Sequence, residues 1–348
     1  MLNFLRIIFS PAALIFWIII KIRNYLFDNR ILSSTKVDAK VISVGNLTVG
    51  GSGKTPTVLM IAETLKNFGK NVGVLSRGYG RSTKGYLLVC DGAEIKTRVD
   101  ECGDEIYFIS EELKIPTAVS ERRVEGAKRF ISDTSVDTII LDDAFQHRWI
   151  SRDIDIVIVD QRFLNKVDML EQNPLPLGLM REPMDSLKRA DIIIINRKFS
   201  EKSAIPAKFD KYFHNKKIFH GYYEARGVYD VKTHEHYSFI EFAGQKSLVV
   251  CGIAKPYSFL NVLEKNNIDI KNKMLFTDHK SYSKNEVQSI RKRFYDTNSF
   301  SVLTTQKDAV KLTNFAVELD DIDIYYLKID LKLDEQQEFI DLINHKLN

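Results

Sequence analysis

The sequence is poor in cysteine and lacks the arrangements in which cysteine builds structure. Its 348 residues include three cysteines, Cys90, Cys102 and Cys251, which lie far apart and form no CxxC pair. An odd number without paired spacing excludes a disulfide framework and a cysteine-based zinc site. The chain also has no internal repeat of fixed period and no low-complexity tract. These absences favour an ordinary globular protein of a reducing, cytoplasmic compartment.

Neither sign of charge dominates the composition. The formal net charge is +4 and the pI is about 8.7. This small excess suits an anionic partner, but it does not choose among a phosphate, a nucleic acid and an acidic membrane surface. Apolar residues make up 44% of the chain and charged residues 28%, which excludes global disorder. The length allows two domains.

The N-terminus lacks an apolar run of the length that usually crosses a membrane. The uncharged stretch Ile7–Ile20 lies between Arg6 and Lys21, whereas a spanning helix needs about 20 apolar residues. Trp17 and the flanking cations favour a shallow or surface-lying membrane helix over residues 1–30. The alternatives are a secretory signal peptide, although no AxA-like site follows, and a helix packed on the protein's own core.

A buried strand, a glycine-rich turn and a helix are predicted in succession between Val41 and Leu65. The turn "TVGGSGKT" follows the pattern GxxxxGK[ST], with Thr48 in place of the first glycine. The paired glycines keep the freedom at positive φ that lets successive N–H groups surround a phosphate at a helix N-terminus. The sequence therefore predicts a nucleotide phosphate site at Gly50, Gly51, Ser52, Gly53, Lys54 and Thr55.

Two adjacent carboxylates follow another predicted strand. In "DTIILDDAFQH" an apolar, β-prone run ends at Asp142 and Asp143. Such neighbours repel each other unless a cation is close, and a solvated turn is the alternative. Together with the phosphate loop, the pair predicts Mg²⁺ held by the Thr55 hydroxyl and Asp142, with Lys54 on the β- and γ-phosphates of the nucleotide.

Further apolar strands predict the fold class, which is α/β. The segments "NVGVLS", "DIDIVIVD" and "ADIIIINR" favour a P-loop NTPase-type, mostly parallel sheet flanked by helices, with ligands at the carboxyl ends of the strands. Beyond Arg197 the chain becomes polar and basic, and a second strand, turn and helix follow without a P-loop lysine. We predict four units, which are a membrane-associated helix at 1–30, a P-loop core at 31–212, a β-ribbon linker at 213–245 and a smaller α/β lobe at 246–348.

Two classes of P-loop protein lack their signature here. A GTPase would carry an NKxD motif, but Asn196 is followed by "RKF" with Phe199 in place of the aspartate. A dimeric switch ATPase would carry a lysine just before the paired glycines, where Val49 stands. A small-molecule kinase remains, which also needs a general base and an acceptor pocket. A membrane-recruited nucleotide switch ATPase is the alternative.

Seven segments occur in an order that closely resembles one kinase family. They are "VGNLTVGGSGKTP", "SRGYGR", "CGDE", "LDDAFQHR", "LMREP", "DH" at 278–279 and "TTQKDAVKL". The family is tetraacyldisaccharide 4'-kinase, the membrane-bound lipid A 4'-kinase of Gram-negative bacteria. The resemblance extends from the N-terminal helix to about Leu312.

The resemblance implies ATP-dependent phosphorylation of the 4'-hydroxyl of a tetraacylated glucosamine disaccharide 1-phosphate. It implies two α/β/α lobes joined by a short β-ribbon, with the active site in the cleft between them. The expected cofactors are ATP and Mg²⁺, and the expected partners are the acylated lipid and the membrane surface. We expect the cytoplasmic face of the bacterial inner membrane as the location, and neither a nucleic-acid partner nor an obligate protein partner.

The resemblance also implies roles for single residues. Asp104 corresponds to the base that accepts the proton of the sugar hydroxyl, although the same aspartate could instead cap the helix that begins at "DEIYFISEEL". Asp142 and Asp143 correspond to the aspartate pair, and His279 to a histidine near the metal and nucleotide. The predicted substrate-binding residues are Arg77, Gln146, Arg181 and Glu182.

Some of these assignments have open alternatives. Arg77 could face phosphate or solvent, and "LMREP" could clamp the acceptor or form a surface ion pair. The sequence departs from the family pattern at Ala144, where glycine is frequent, and at Gln306, where glutamate is frequent. The second departure leaves the role of Gln306 open.

Overall fold

A sheet of 13 strands runs through the molecule, in a computed structural model that describes residues 10–166, 170–253, 256–277, 280 and 282–348. The strand order is β11-β10-β12-β13-β8-β7-β6-β1-β5-β2-β4-β3, and β9 pairs with β8 outside this order. The strands are β1 Lys40–Asn46, β2 Val72–Ser76, β3 Leu87–Asp91, β4 Pro116–Val119, β5 Thr138–Asp142, β6 Ile154–Asp160, β7 Ile192–Lys198, β8 Lys217–Asp230, β9 His236–Tyr237, β10 Lys246–Cys251, β11 Asp269–Leu275, β12 Ser301–Thr305 and β13 Ile324–Leu333.

Helices cover both faces of this sheet. The α-helices within the described residues are α1 Ser10–Asp28, α2 Lys54–Asn67, α3 Val99–Cys102, α4 Asp104–Leu113, α5 Arg123–Thr134, α6 Gln161–Asn165, α7 Asp210–Phe213, α8 Tyr257–Lys265, α9 Lys284–Asp296, α10 Gln306–Leu312 and α11 Gln336–Leu347. Short 3₁₀ helices occur at Met184–Arg189, Ala207–Phe209, Phe239–Phe242 and Thr313–Phe315.

Successive side chains of the central strands alternate between the two faces of the sheet, so the core is divided between those faces. Ile42 and Val44 of β1 pack in the cluster that contains α2, α4 and α11, whereas Val41 packs in the cluster that contains α5. Because successive side chains of a strand point to opposite faces, a strand buried on both sides is apolar throughout. The predicted α/β class, with a mostly parallel sheet flanked by helices, is confirmed.

The long strand β8 joins two mostly parallel half-sheets. Its first part pairs in parallel with β7, through Lys217 to Tyr222, and a largely different part, from Gly221 to Asp230, pairs antiparallel with β13. We call β1 to β7 the N-terminal half-sheet and β10 to β13 the C-terminal half-sheet. Because the junction is antiparallel and displaced along β8, the carboxyl ends of the two half-sheets face each other. The four predicted domain boundaries stay a prediction.

The three cysteines fit the expectation drawn from their spacing. Cys90, Cys102 and Cys251 are all buried and unpaired. Burial raises the pKa of each thiol and is the largest cause of the shift. The pKa is about 11 for Cys102 and about 12 for Cys251. They are therefore protonated core residues at neutral pH.

Candidate active site

A glycine-rich loop joins β1 to α2 at the carboxyl edge of the N-terminal half-sheet. Gly50 and Gly53 have φ angles of 99° and 105°, which residues with a side chain rarely adopt. Gly53 is the N-cap residue of α2, so Lys54 and Thr55 begin the helix, where backbone N–H groups have no intrahelical partner. The predicted strand, loop and helix are formed, and the loop presents donors suited to a phosphate.

Three polar side chains from β1 and β7 support this loop. Asn46 Nδ2 donates to Ser52 Oγ at 2.7 Å. Asn196 Nδ2 donates to the Ser52 carbonyl at 3.0 Å. Lys198 Nζ donates to the Gly51 carbonyl at 2.8 Å. Because these bonds fix two carbonyl groups and a hydroxyl group of the loop, its N–H groups are preorganised for a ligand.

Lys198 is held in place by a buried ion pair. Its Nζ lies 2.8 Å from Asp160 Oδ2, and both side chains are 7% exposed. Asp160 ends β6, which neighbours β1 in the strand order, and Lys198 ends β7, one strand further from β1. Sequence reasoning missed both residues and considered Asn196 only as part of a guanine motif. Their common position at the carboxyl ends of parallel strands near the P-loop strand is the signal that could have indicated them.

We expect Lys198→Met to weaken ATP binding about tenfold, because a charge-assisted hydrogen bond to the loop is worth roughly 1.5–3 kcal/mol. The change also leaves the buried Asp160 carboxylate unpaired, so the melting temperature should fall. Calorimetric titration with ATP and thermal unfolding measure the two effects. Lys202→Met is the matched control, since Lys202 is exposed and contacts Asp334 at 3.3 Å. Unchanged ATP affinity in Lys198→Met would show that the loop does not depend on this support.

Asp143 is enclosed by two cations next to the loop. Lys54 Nζ lies 3.7 Å from its Oδ2, and Arg181 donates two hydrogen bonds to its carboxylate, at 3.0 and 2.7 Å. Although burial opposes the charged form, Lys54 and Arg181 hold the pKa of Asp143 below its usual range. Asp143 also has a φ of +49°, an unusual conformation for a residue with a side chain that directs it from the strand end toward the loop.

Asp142 is buried and has one carboxylate oxygen without a hydrogen-bond partner. Ser76 Oγ donates to Oδ2 at 3.1 Å, whereas Oδ1 is unsatisfied within the described residues. Burial, followed by the charges of Glu105 and Asp143, raises the pKa of Asp142 to about 6. An unsatisfied buried carboxylate oxygen costs free energy unless a cation approaches it.

The residues at this position are of the kind that bind Mg²⁺. Mg²⁺ prefers oxygen ligands, keeps several waters and usually takes one or two protein groups in addition to nucleotide phosphates. The Thr55 hydroxyl at the start of α2 and Asp142 Oδ1 are ligands of that kind. The part of the chain that the structure describes contains no cluster of three or more His, Cys, Asp or Glu side chains placed for a metal.

Asp104 and Glu105 begin α4, which packs beside α2 on the N-terminal half-sheet. Gly103, with a φ of 96°, occupies the N-cap position, so Asp104 is the first residue of the helix rather than its cap. Lys311 Nζ lies 3.0 Å from Asp104 Oδ2, and Lys307 pairs with Glu105. Burial opposes ionisation of Glu105, but Lys307 holds its pKa below the usual range. Because Gly103 holds the N-cap position, the alternative in which Asp104 caps the helix is wrong.

The predicted acceptor-binding residues occupy different environments. Arg77 directly follows β2 and is exposed, whereas Gln146 Nε2 donates to the Asn46 carbonyl at 2.8 Å. Arg181 is committed to Asp143, as described above. Glu182 is fully buried. Arg189 contacts its Oε2 at 2.6 Å, and Arg23 contacts its Oε1. Their roles toward the acceptor stay predictions, and His279, together with Asp278, lies outside the described residues.

Comparison with known proteins identifies the family. A family model described as tetraacyldisaccharide-1-P 4'-kinase matches residues 5–348. The chain belongs to this family. The tetraacyldisaccharide 4'-kinase of Chlorobium phaeovibrioides is 33% identical over 344 residues, covering 96% of this chain and 95% of the relative. That of Haemophilus influenzae is 32% identical over 338 residues, covering 97% and 91%.

A solved structure of a protein named LpxK is also similar to this chain over nearly its whole length. The "apo" form of LpxK from Aquifex aeolicus, crystallised in complex with ATP, aligns with a TM-score of 0.80 and 30% identity. The alignment covers 99% of this chain and 100% of that one. The recognition made from the ordered segments is confirmed, and with it the prediction of a kinase over that of a switch ATPase.

One further element distinguishes this kinase from a bare P-loop core, namely the N-terminal helix α1. Its carboxyl-terminal half is fastened to the core through Arg23 on Glu182, Asp28 on Arg148 at 2.9 Å, and an edge-to-face contact of Phe27 with Trp149 at 5.0 Å. Within the described residues, no helix combines the length and apolar content required to cross a bilayer. The helix nevertheless leaves large apolar side chains exposed along one stripe, at Leu14, Ile15, Ile18, Ile19, Ile22 and Tyr25.

Gln306, where the sequence departs from the family pattern, has a backbone partner. Ile329 N donates to its Oε1 at 3.3 Å, which ties the start of α10 to β13. An amide oxygen suffices for this contact, since the donor is an uncharged N–H group. Lys307 and Asp308, which retain the family pattern, carry the charged contacts of the same helix.

Proposed function

We propose that this kinase transfers the γ-phosphoryl group of ATP, with Mg²⁺, to the 4'-hydroxyl of a tetraacylated glucosamine disaccharide 1-phosphate in lipid A biosynthesis. The kinase activity follows from the family to which the chain belongs. One observation carries the assignment of the site. The P-loop, its aspartate pair and the α4 carboxylates lie close together on the N-terminal half-sheet, and the lysines of α10 reach the α4 carboxylates from the C-terminal half. This arrangement supports a donor site with an acceptor site beside it.

The donor side follows from the contacts of Lys54. Its ammonium lies near Asp143 and 15% of its side chain is exposed, so it is able to reach the terminal phosphates of a nucleotide in the loop. When bound, Mg²⁺ would neutralise charge on the β- and γ-phosphates, held by Thr55 and Asp142. Arg181 keeps Asp143 oriented, and Ser76 donates to Asp142. Both carboxylates therefore stay fixed while Lys54 moves from Asp143 to the phosphates.

The acceptor side requires a base for the sugar hydroxyl. As the new O–P bond forms and the bond to the leaving ADP oxygen breaks, the hydroxyl proton has to leave. Asp104 is a carboxylate at the N-terminus of α4, beside the P-loop helix α2, and is 8% exposed. We assign it as the acceptor of that proton. His279 is proposed to act near the metal and nucleotide, on the resemblance alone.

The exposed stripe of α1 supports a membrane location for the reaction. A lipid with four acyl chains has a negligible free concentration in water, so the kinase has to meet it at a bilayer. The stripe offers apolar side chains to that surface, and lysine or arginine near an anionic leaflet adds about 1 kcal/mol each. The buried, unpaired cysteines suit the reducing side. We place the enzyme on the cytoplasmic face of the bacterial inner membrane.

Transfer of label tests the proposal directly. The protein is incubated with γ-labelled ATP, Mg²⁺ and a detergent-dispersed acylated disaccharide 1-phosphate, and the lipid is extracted. We expect label in the lipid and loss of transfer when the 4'-hydroxyl is blocked. Label in free phosphate alone would instead support the membrane-recruited switch ATPase.

Two charges placed in the exposed stripe are expected to release the protein from membranes. Burial of one isoleucine side chain contributes about 1.5–3 kcal/mol, so Ile15→Glu with Ile19→Glu should weaken binding to anionic phospholipid vesicles at least about tenfold. Co-sedimentation measures this, and ATP affinity should not change. The control is Ile240→Glu, because Ile240 is 82% exposed on a different surface. Equal sedimentation of all variants would argue against the stripe as the membrane contact.

A further inference from the structure

A lysine of α10, the helix that follows β12 of the C-terminal half-sheet, contacts the proposed base. Lys311 of α10 places its Nζ 3.0 Å from Asp104 Oδ2, and the side chains of the two residues are 10% and 9% exposed. The pair joins residues from opposite sides of the cleft. At this burial, neither side chain is merely a solvated surface charge, so the contact constrains the geometry of the Asp104 carboxylate.

Lys311 is itself anchored to the ends of two strands. Its Nζ lies 3.9 Å from Asp308 Oδ1. The other oxygen of Asp308 accepts hydrogen bonds from Gly252 N at 2.9 Å and from Thr305 Oγ1 at 2.8 Å. Gly252 follows β10 and Thr305 ends β12. The position of the ammonium therefore depends on the position of the C-terminal half-sheet.

Two other lysines from the same side also bind α4, but not at Asp104. Lys307 pairs with Glu105 and Lys328 pairs with Glu112. Glu112 lies eight residues along the helix from Asp104, which corresponds to about 12 Å. The Lys328 pair therefore has the same chemistry and also binds α4 from the C-terminal part of the chain, through β13 instead of α10, but it is remote from the reacting carboxylate. It offers a matched control for a purely structural role.

We propose that Lys311 is a positioning residue for phosphoryl transfer. Its ammonium fixes the orientation in which Asp104 accepts the hydroxyl proton, and it does so only while the C-terminal half-sheet is packed against α4. The proton passes from the hydroxyl to Asp104 as the O–P bond forms, so Lys311 orients the acceptor and exchanges no proton in the step. This inference rests on the assignment of Asp104 as the base. It makes the orientation of the base depend on contact between the two sides of the cleft.

The test compares Lys311→Met with Lys328→Met in the full chain, using labelled transfer from ATP to the detergent-dispersed lipid. We expect Lys311→Met to lower kcat about tenfold or more, with the KM for ATP within about twofold of the parent. Lys311→Arg, which retains the charge, should recover most of the loss. Lys328→Met should keep kcat within about twofold. A kcat loss of equal size in both methionine variants would overturn the proposal and leave a structural ion pair.

A double variant separates this inference from the base assignment. If Lys311 acts through Asp104, then Asp104→Asn with Lys311→Met is no slower than Asp104→Asn alone. Multiplication of the two losses would overturn the inference. Full transfer by Asp104→Asn would remove the base assignment and the inference together, whereas an inactive Asp104→Asn with a fully active Lys311→Met would remove the inference alone. Should the methionine variant fail to fold, Lys311→Gln is measured in its place, with ATP affinity as the check of integrity.

Discussion

Replacement of Lys54 by alanine is expected to lower kcat for phosphoryl transfer by about 10²- to 10³-fold. The lysine begins α2 within the loop that is proposed to hold the nucleotide phosphates, and charge develops on the phosphoryl group as it moves. Removal of one preorganised charge or donor at such a position costs roughly 2.7–4 kcal/mol of transition-state stabilisation. Steady-state kinetics with labelled ATP measure the loss, and calorimetry measures the accompanying loss of ATP affinity.

Lys66 of the same helix supplies the control for this variant. It is exposed and donates to the Leu113 carbonyl at 3.0 Å, away from the phosphate loop. Lys66→Ala should retain kcat within about twofold, since solvent-exposed polar contacts contribute little. Full activity of Lys54→Ala would mean that the nucleotide phosphates are bound elsewhere, and the assignment of the loop would fail.

Replacement of Asp104 by asparagine is expected to suppress transfer while ATP still binds. A positioned base contributes about 10²- to 10⁴-fold, and asparagine fills the same space without accepting the proton. Asp104 is not part of the nucleotide loop and its carboxylate pairs with Lys311, so the dissociation constant for ATP should change by no more than about threefold. Single-turnover transfer and calorimetric titration separate the two effects.

The matched control for this second variant is Asp100→Asn. Asp100 lies four residues earlier, on α3, and pairs with Arg98 at the surface at 3.2 Å. Its replacement should leave both transfer and ATP binding unchanged. Loss of ATP affinity in Asp104→Asn as large as the loss of kcat would assign Asp104 to metal binding or to structure instead of proton transfer.

The local parts of the site were predictable because their chemistry is contiguous in the chain. The phosphate loop depends on glycines at particular steps between one strand and one helix. All three loop glycines belong to the predicted pattern, but the structure places Gly50 and Gly53 at positive φ, not the paired Gly50 and Gly51. Asp142 and Asp143 likewise follow directly from an apolar strand. In a parallel sheet the end of a strand is the ligand-binding edge, so a linear pattern suffices to place them.

The partners of these residues were not predictable in the same way. Lys198 supports the loop from 147 residues away, and Lys307 contacts Glu105 across 202 residues. Neither lysine differs in its local sequence from an ordinary solvated one. Only the strand order and the antiparallel junction at β8 bring them to the site.

Glu182 illustrates the same limit. Its neighbour Arg181 lies beside the phosphate loop, whereas Glu182 is buried between Arg189 and Arg23 of α1. Adjacent residues in an irregular segment point in different directions according to what packs around them. The motif "LMREP" therefore indicates a functional region without dividing it between acceptor binding and attachment of the N-terminal helix.

The sequence by itself determined the family, the α/β class, the phosphate loop and the aspartate pair, because each depends on residue types at short, fixed spacings. The tertiary structure alone decided which cations support the loop, which lysine lies on Asp104, and how the N-terminal helix is attached. Those contacts join residues far apart in the chain, and their geometry follows from strand order and from the packing of helices across the cleft.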